Sequence, residues 1–204
     1  MIVFACFSPH APIFLPNVGS PANRLKVKKT IDSLNELGKE LTKINPDKII
    51  ISSPHPDWGI NVPLHFLAGN LLPTVERKPY LTDFESPQVH FEKGKLIANN
   101  FRKDEKIAWI ASGDMSHRLT PEGPYGFNPA GPKFDEEFIR LLKAKDIPGI
   151  LDFDKKIEAN AAECGMRSFC MLLGALEELK INWQPKVLSY EGPFGVGYLV
   201  ARLV

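Results

Sequence analysis

Two short apolar runs, each followed at once by a serine, a proline and a histidine, constrain the fold of this chain more than any other feature. Residues 2–7 lead into Ser8-Pro9-His10, and residues 48–51 lead into Ser53-Pro54-His55. Each run has the length and apolar character of a buried strand. In an open α/β sheet, ligands bind beyond the carboxyl ends of the parallel strands, so both histidines are expected at one edge of the sheet. The pattern therefore predicts a metal site there.

A third apolar run, residues 107–111, ends in Ser112-Gly113-Asp114-Met115-Ser116-His117. Three of the five histidines thus follow predicted strands in loops rich in serine, glycine and proline. The other two lack this placement. His65 lies in the strand-like residues 62–67, and His90 begins a charged segment that we expect to be exposed. We therefore exclude both from the predicted site.

Strands and helices alternate along the chain. Between the first two strands, apolar residues recur at helical spacing, namely Leu25, Ile31, Leu34, Leu37, Leu41 and Ile44. The patterns further predict helices at residues 87–102, 133–143, 146–153 and 160–178, and strands at residues 62–67, 187–190 and 196–204. This order predicts a single α/β domain over residues 1–204, a three-layer α/β/α sandwich with a largely parallel central sheet.

The composition excludes several classes of function. The chain has 204 residues, 44% of them hydrophobic, and its 25 basic against 24 acidic residues give a net charge of +1. Such a balance argues against nucleic-acid binding, and the basic run at residues 24–29 fits the solvated face of a helix. We see no secretory leader or membrane-spanning segment and expect a cytoplasmic protein. The spacing of Cys6, Cys164 and Cys170 does not indicate a disulfide framework.

The third ligand of the predicted metal site is expected near the start of the helix predicted at residues 160–178. Two histidines and one carboxylate form the facial arrangement of non-haem Fe(II) oxygenases, which Glu163 would complete. A cysteine ligand, Cys164, would favour softer metals. Each residue also has a structural interpretation. An acidic residue at this place stabilises a helix N-terminus, and a free cysteine is commonly a small buried hydrophobic residue.

Five phrases in order carry a resemblance to a known family. They are Ser-Pro-His10-Ala-Pro, Ser-Pro-His55-Pro, Ser-Gly-Asp114-Met-Ser-His117-Arg, the segment Gly-Pro-Tyr-Gly-Phe-Asn-Pro-Ala-Gly-Pro-Lys-Phe-Asp135, and Glu163-Cys-Gly-Met-Arg167-Ser. The chain resembles the catalytic (B) subunit family of class III extradiol ring-cleavage dioxygenases over nearly its whole length. It is also similar to the Memo proteins, in which the cysteine of a Cys-Gly-Arg-His-Pro motif belongs to the metal pocket; Cys164 occupies that place here.

The dioxygenase resemblance implies an Fe(II) centre held by His10, His55 and Glu163. It implies a catechol-type aromatic substrate and O2 as partners. His117 would be the second-sphere acid/base, suited to this role because histidine titrates near neutral pH. Asp114 would orient His117 or a loop amide, unless it only forms a turn.

Other functions stay open at this point. Arg167 would bind an anionic group of the substrate, or would be a solvated helix residue. The Memo resemblance implies a metal-binding protein without ring cleavage, with Cys164 at the site. A metal-dependent hydrolase is a further alternative, because a metal-bound water can attack an ester or amide. Zinc or another divalent metal would then replace iron, and the families imply a homodimer.

Overall fold

Six strands form one sheet at the centre of the computed structural model, which describes residues 1–204. They are β1 (Ile2–Ser8), β2 (Lys48–Ser53), β3 (Glu76–Leu81), β4 (Ile107–Ser112), β5 (Lys186–Glu191) and β6 (Tyr198–Arg202). Their order is β3-β2-β4-β1-β6-β5. The first four of these run parallel, whereas β6 is antiparallel to both β1 and β5. The three strands that precede the histidine phrases are therefore consecutive neighbours.

Helices cover both faces of this sheet. They are α1 (Pro21–Lys26), α2 (Lys28–Ile44), α3 (Trp58–Leu67), α4 (Pro87–Ala98), α5 (Ala130–Ala144), α6 (Ile147–Leu151), α7 (Lys155–Ala161) and α8 (Met166–Glu178). On one face α2 and α3 pack against the sheet, and on the other α4 packs on α8, which lies over β2 and β4. The predicted three-layer α/β/α sandwich with a largely parallel sheet is confirmed.

The apolar runs become central strands because both faces of the sheet are covered. β1 sends alternate residues into the two hydrophobic cores, for example Ala5 and Phe7 into one and Phe4 and Cys6 into the other. A strand that is buried on both faces reads as a continuous apolar run rather than an alternating one. The strands β1, β2 and β4 are thus fixed at the middle of the protein, with their carboxyl ends side by side.

One predicted strand is wrong, and one strand of the sheet was not predicted. The strand predicted at residues 62–67 is the second half of α3, which begins after Asp57, whose side chain accepts a hydrogen bond from the Trp58 amide. The buried residues of α3 recur at the three- and four-residue spacing of one helix face, so the short apolar run belongs to a helix; they are Gly59, Val62, Pro63 and Leu67. Conversely, β3 was not predicted, because this edge strand is polar and largely exposed. His65 consequently lies on α3.

Two further expectations need correction. The helix predicted at residues 160–178 is two helices, because Ala162 adopts a left-handed conformation (φ 54°) that ends α7, and α8 begins only at Met166. His90 was expected to be exposed but is fully buried on α4, where its Nδ1 lies 3.0 Å from the Ser86 carbonyl oxygen. None of the helices combines the length and hydropathy that a membrane span requires.

Candidate metal centre

His10, His55 and Cys164 converge at the carboxyl edge of the sheet. Their ligand atoms all lie within 4.8 Å of one another. His10 follows β1, His55 follows β2, and Cys164 lies just before α8. His10 is buried, and the other two are partly buried. Three metal-ligating side chains thus meet at one point, although they come from distant parts of the sequence.

A close approach of two glycines brings Cys164 to this point. Gly113, after β4, touches Gly165 so closely that a Cβ on Gly113 would lie 2.2 Å from the Gly165 Cα. Next to this contact, the Asp114 carbonyl oxygen accepts hydrogen bonds from the amides of Cys164 (3.3 Å) and Gly165 (3.0 Å). The Asp114 amide in turn donates to the Cys164 sulfur at 3.3 Å. The cysteine is therefore attached to the end of β4, although it belongs to the segment before α8.

The orientation of the His10 ring is set by Ser112, the last residue of β4. The Ser112 hydroxyl donates its only proton to the Gly59 carbonyl oxygen (2.5 Å), and its oxygen lies 3.0 Å from His10 Nδ1. Since that hydroxyl has no second proton, Nδ1–H of His10 must be the donor of this hydrogen bond. The Nε2 lone pair is then directed at Cys164, whose sulfur lies 3.5 Å away. This is the tautomer that a metal ligand requires.

The charge states of His10 and Asp114 also suit a metal site. Burial, followed by the neighbouring His55, lowers the pKa of His10 to about 3, so its imidazole is neutral at physiological pH. Asp114 accepts a hydrogen bond from the His10 amide at 2.9 Å, and its second oxygen lies 3.9 Å from His10 Nε2. Burial raises the pKa of Asp114 to about 6. Asp114 thus holds the His10 backbone and provides a negative charge beside the ring.

Glu163 lies next to Cys164 in the sequence but is not a member of the cluster. Its buried carboxylate accepts a hydrogen bond from the Met166 amide at 2.6 Å, in the first turn of α8. Burial raises the pKa of Glu163 to about 7. Arg167 lies 3.4 Å from the same carboxylate and donates to the Glu85 carbonyl oxygen at 2.9 Å. Both residues are therefore engaged in holding the start of α8.

His117 is held by the end of α7, close enough to the cluster that, in addition to burial, His10 and His55 lower its pKa. Its amide donates to the Ala161 carbonyl oxygen at 3.1 Å, and its Nδ1 donates to the Ala162 carbonyl oxygen at 2.5 Å. This leaves Nε2 as an acceptor. Burial lowers the pKa of His117, against the opposing effect of Asp114. The exposed ring of Tyr125 stands 5.5 Å from the His117 ring, centroid to centroid.

The donor set of the cluster fits a divalent transition metal. Two imidazoles and one thiolate are ligands that Zn²⁺ and other borderline or soft metals accept, and three protein ligands leave a position open. Burial raises the pKa of the Cys164 thiol, so metal binding would have to release its proton. The hydrogen bond from the Asp114 amide to the sulfur favours the thiolate.

Sequence reasoning named all three members of the cluster, with Cys164 as the alternative to Glu163. It missed Ser112 as the residue that orients His10. A signal was present, since each of the three central strands ends in serine at the same edge of the sheet. Nothing in the sequence distinguished which of these hydroxyls faces an imidazole.

Comparisons with known proteins identify the family and the fold of this chain. Residues 55–201 match the family described as the catalytic LigB subunit of aromatic ring-opening dioxygenase. Protein CA_C1420 of Clostridium acetobutylicum is 30% identical over an alignment that covers 96% of this chain and 56% of that relative. The chain thus spans about half the length of that relative. The crystal structure of uncharacterized protein JW3007 from Escherichia coli K12 has the same fold, with a TM-score of 0.64 and 14% identity over 98% of this chain and 99% of that one.

Proposed function

Because the chain belongs to the family of the catalytic LigB subunit of aromatic ring-opening dioxygenases, we propose that it is a metal-dependent enzyme. We propose further that one divalent ion, Fe²⁺ or Zn²⁺, binds to His10, His55 and Cys164. The convergence of these three side chains within 4.8 Å carries the proposal. The His10 tautomer supports it, because the Ser112 hydroxyl leaves Nε2 free to coordinate.

The bound ion would act as a Lewis acid that lowers the pKa of a coordinated hydroxyl group or water molecule. His117 would then act as a general base. Its Nδ1 proton is committed to the Ala162 carbonyl oxygen, so its Nε2 is the atom that accepts a proton from the substrate. Because burial lowers the pKa of His117, the ring is neutral before the reaction and able to act as a base. Asp114 stabilises the imidazolium that forms, since its charge raises the pKa of His117.

We propose catechols and O2 as the first substrates to test, because the family opens aromatic rings. Two exposed aromatic side chains support a flat substrate. The Trp58 ring lies 5.3 Å from the His55 ring, and the Tyr125 ring lies 5.5 Å from the His117 ring. Both rings are exposed, and each offers apolar surface on which a flat substrate beside these histidines can stack.

One observation favours a second candidate, metal binding without ring cleavage. The carboxylate of Glu163, which would complete a facial triad for O2 activation, is bonded to the first turn of α8. Cys164 takes its place beside His10. A thiolate suits Zn²⁺ and softer metals, and a zinc centre does not carry out oxidative ring opening.

The decisive experiment is metal analysis of anaerobically purified protein combined with O2 uptake. Wild-type protein and the His10→Ala and His117→Ala variants are each reconstituted with Fe²⁺ and, separately, with Zn²⁺. We expect one ion per chain in the wild type and in His117→Ala, and loss of the ion in His10→Ala. Consumption of O2 that depends on catechol, on Fe²⁺ and on His117 would establish ring opening.

The other outcomes are equally informative. Stoichiometric metal without O2 uptake from any catechol would favour the second candidate. Retention of the ion in His10→Ala, or no metal in the wild type, would contradict the proposed centre itself.

A further inference from the structure

His117 belongs to a segment that has no regular structure of its own. Residues 113–129 connect β4 to α5 without a helix or strand between them. The backbone amides and carbonyl groups of such a segment depend on partners from elsewhere in the protein. A side chain used for proton transfer must also be held within a fraction of an ångström of its productive position. The contacts that hold this segment therefore bear on what His117 does.

The end of α7 provides the first attachment. Besides the two hydrogen bonds of His117 to Ala161 and Ala162, the Ser116 hydroxyl donates to the Ala161 carbonyl oxygen at 2.9 Å. All three hydrogen bonds attach Ser116 and His117 to the same two residues, Ala161 and Ala162. They come from the short seven-residue helix α7, which ends at this point.

A buried carboxylate provides the second attachment. Asp135 of α5 accepts a hydrogen bond from the Ser116 amide at 2.8 Å through Oδ1, and from the Tyr190 hydroxyl at 2.5 Å through Oδ2. The Ser116 carbonyl oxygen also accepts from the Gly197 amide at 2.8 Å. Gly197 packs so tightly here that a Cβ would lie 2.2 Å from Asp135 Oδ2. Residues from α5, β5 and the approach to β6 thus surround the peptide that precedes His117.

The choice of a carboxylate at this position requires an explanation. Asp135 is only 1% exposed and has no basic partner, since no lysine, arginine or histidine nitrogen lies within 4.0 Å of it. Burying an unpaired carboxylate is unfavourable. What this residue gains is two hydrogen bonds, one at each oxygen of its carboxyl group, to the Ser116 amide and to the Tyr190 hydroxyl. One of these bonds is made to the residue directly before His117, where it fixes the backbone that carries the ring.

We propose that Asp135, supported by the Tyr190 hydroxyl, is a positioning residue that fixes the peptide of Ser116 and thereby the orientation and tautomer of His117. The catalytic consequence rests on the proposed function of His117 as a base. The structural claim stands on the hydrogen bonds alone and is testable without turnover.

Imidazole ¹⁵N NMR of the protein supplied with Zn²⁺, which is diamagnetic, tests the claim directly. The long-range ¹H–¹⁵N spectrum reports which ring nitrogen carries the proton. In the wild type, we expect His117 to be a single tautomer protonated at Nδ1. In Asp135→Ala we expect a mixture of tautomers, and in Asp135→Asn, which keeps an acceptor for the Ser116 amide, the wild-type spectrum.

Glu191→Ala is the matched control. Its carboxylate also accepts hydrogen bonds from one backbone amide and one hydroxyl, both of Thr30, at 2.8 Å and 2.7 Å, but it makes no hydrogen bond to Ser116. We expect no change at His117 in this variant. An unchanged His117 tautomer in Asp135→Ala, or an equal change in Glu191→Ala, would overturn the proposal. If Asp135→Ala does not fold, Tyr190→Phe decides: a shift at His117 supports the proposal, and an unchanged spectrum overturns it.

Kinetics separate this proposal from the proposed function. If ring opening is observed, Asp135→Ala should lower kcat on the order of 10²-fold at unchanged KM and metal content, because a misplaced base affects the chemical step. Asp135→Asn should restore most of kcat. Absence of turnover in the wild type would count against the proposed function, and the NMR comparison would still decide whether Asp135 positions His117.

Discussion

Replacing Ser112 by alanine tests whether this residue orients His10 for metal binding, in addition to stabilising the core. The change removes one hydroxyl that serves two buried groups, the Gly59 carbonyl oxygen and the His10 Nδ1–H. Each group left unpaired costs about 1–3 kcal/mol of unfolding free energy. Loss of the acceptor also frees the His10 ring to turn or to move its proton to Nε2. Removal of such a supporting hydrogen bond typically weakens metal binding about 10–100-fold, or about 1.4–2.8 kcal/mol.

Ser52→Ala is the matched control for this experiment. Ser52 is equally buried, accepts a hydrogen bond from the Trp109 indole at 3.1 Å and bonds to Ser168, but it does not touch His10. Zn²⁺ affinity is measured by competition with a chelator, and stability by urea unfolding of the metal-free proteins. Both variants should lose stability, but only Ser112→Ala should lose affinity. Wild-type affinity in Ser112→Ala, or equal weakening in Ser52→Ala, would refute the assignment of Ser112.

Two further expectations concern pH and packing. Burial raises the pKa of Asp135 to about 7, so between about pH 4 and pH 7 the folded state keeps a proton that the unfolded state has lost. This stabilisation is complete below pH 4 and disappears as the pH rises through 7. In urea unfolding, the free energy of unfolding of Asp135→Asn should therefore rise relative to that of the wild type by about 1.4 kcal/mol per pH unit between pH 4 and pH 7. A difference between the two proteins that does not change with pH would contradict this expectation. Gly113→Ala should lower both the melting temperature and Zn²⁺ affinity, because its Cβ would lie 2.2 Å from the Gly165 Cα. Gly126→Ala, whose Cβ meets no atom within 4 Å, should cost only about 1–2 kcal/mol for its positive φ and keep the affinity; equal loss of affinity in both would argue against the glycine contact.

The central fold was readable from the sequence because its strands are buried on both faces. Residues 2–7, 48–51 and 107–111 are apolar without interruption, which is what a doubly covered parallel strand requires. Edge elements carry no such signal. β3 is polar and exposed, and its partner β2 supplies the pairing that its own residues do not indicate. In α3, the short apolar run fits both the two-residue period of a strand and the 3.6-residue period of a helix, and the Asp57 cap favours the helix.

The histidines of the site were predictable for a related reason. Parallel neighbouring strands deliver whatever follows them to one edge, so His10 and His55 were brought together by topology alone. The choice between Glu163 and Cys164 was not accessible in this way. It depends on the break between α7 and α8 at Ala162 and on the contact of Gly113 with Gly165, which turn the cysteine towards His10 and the carboxylate towards the Met166 amide. Such tertiary contacts leave no periodic pattern in the sequence.

The most direct test of the account is whether a cysteine thiolate binds the metal. Cobalt(II) titration answers this, because a cobalt–thiolate bond produces a charge-transfer absorption that imidazole and carboxylate ligands do not. We predict this absorption, at one ion per chain, in the wild type and in Glu163→Gln, and its loss in Cys164→Ala. An absorption that persists in Cys164→Ala, or one ion per chain in the wild type with no such absorption and loss of the ion in Glu163→Gln, would contradict a centre made by His10, His55 and Cys164.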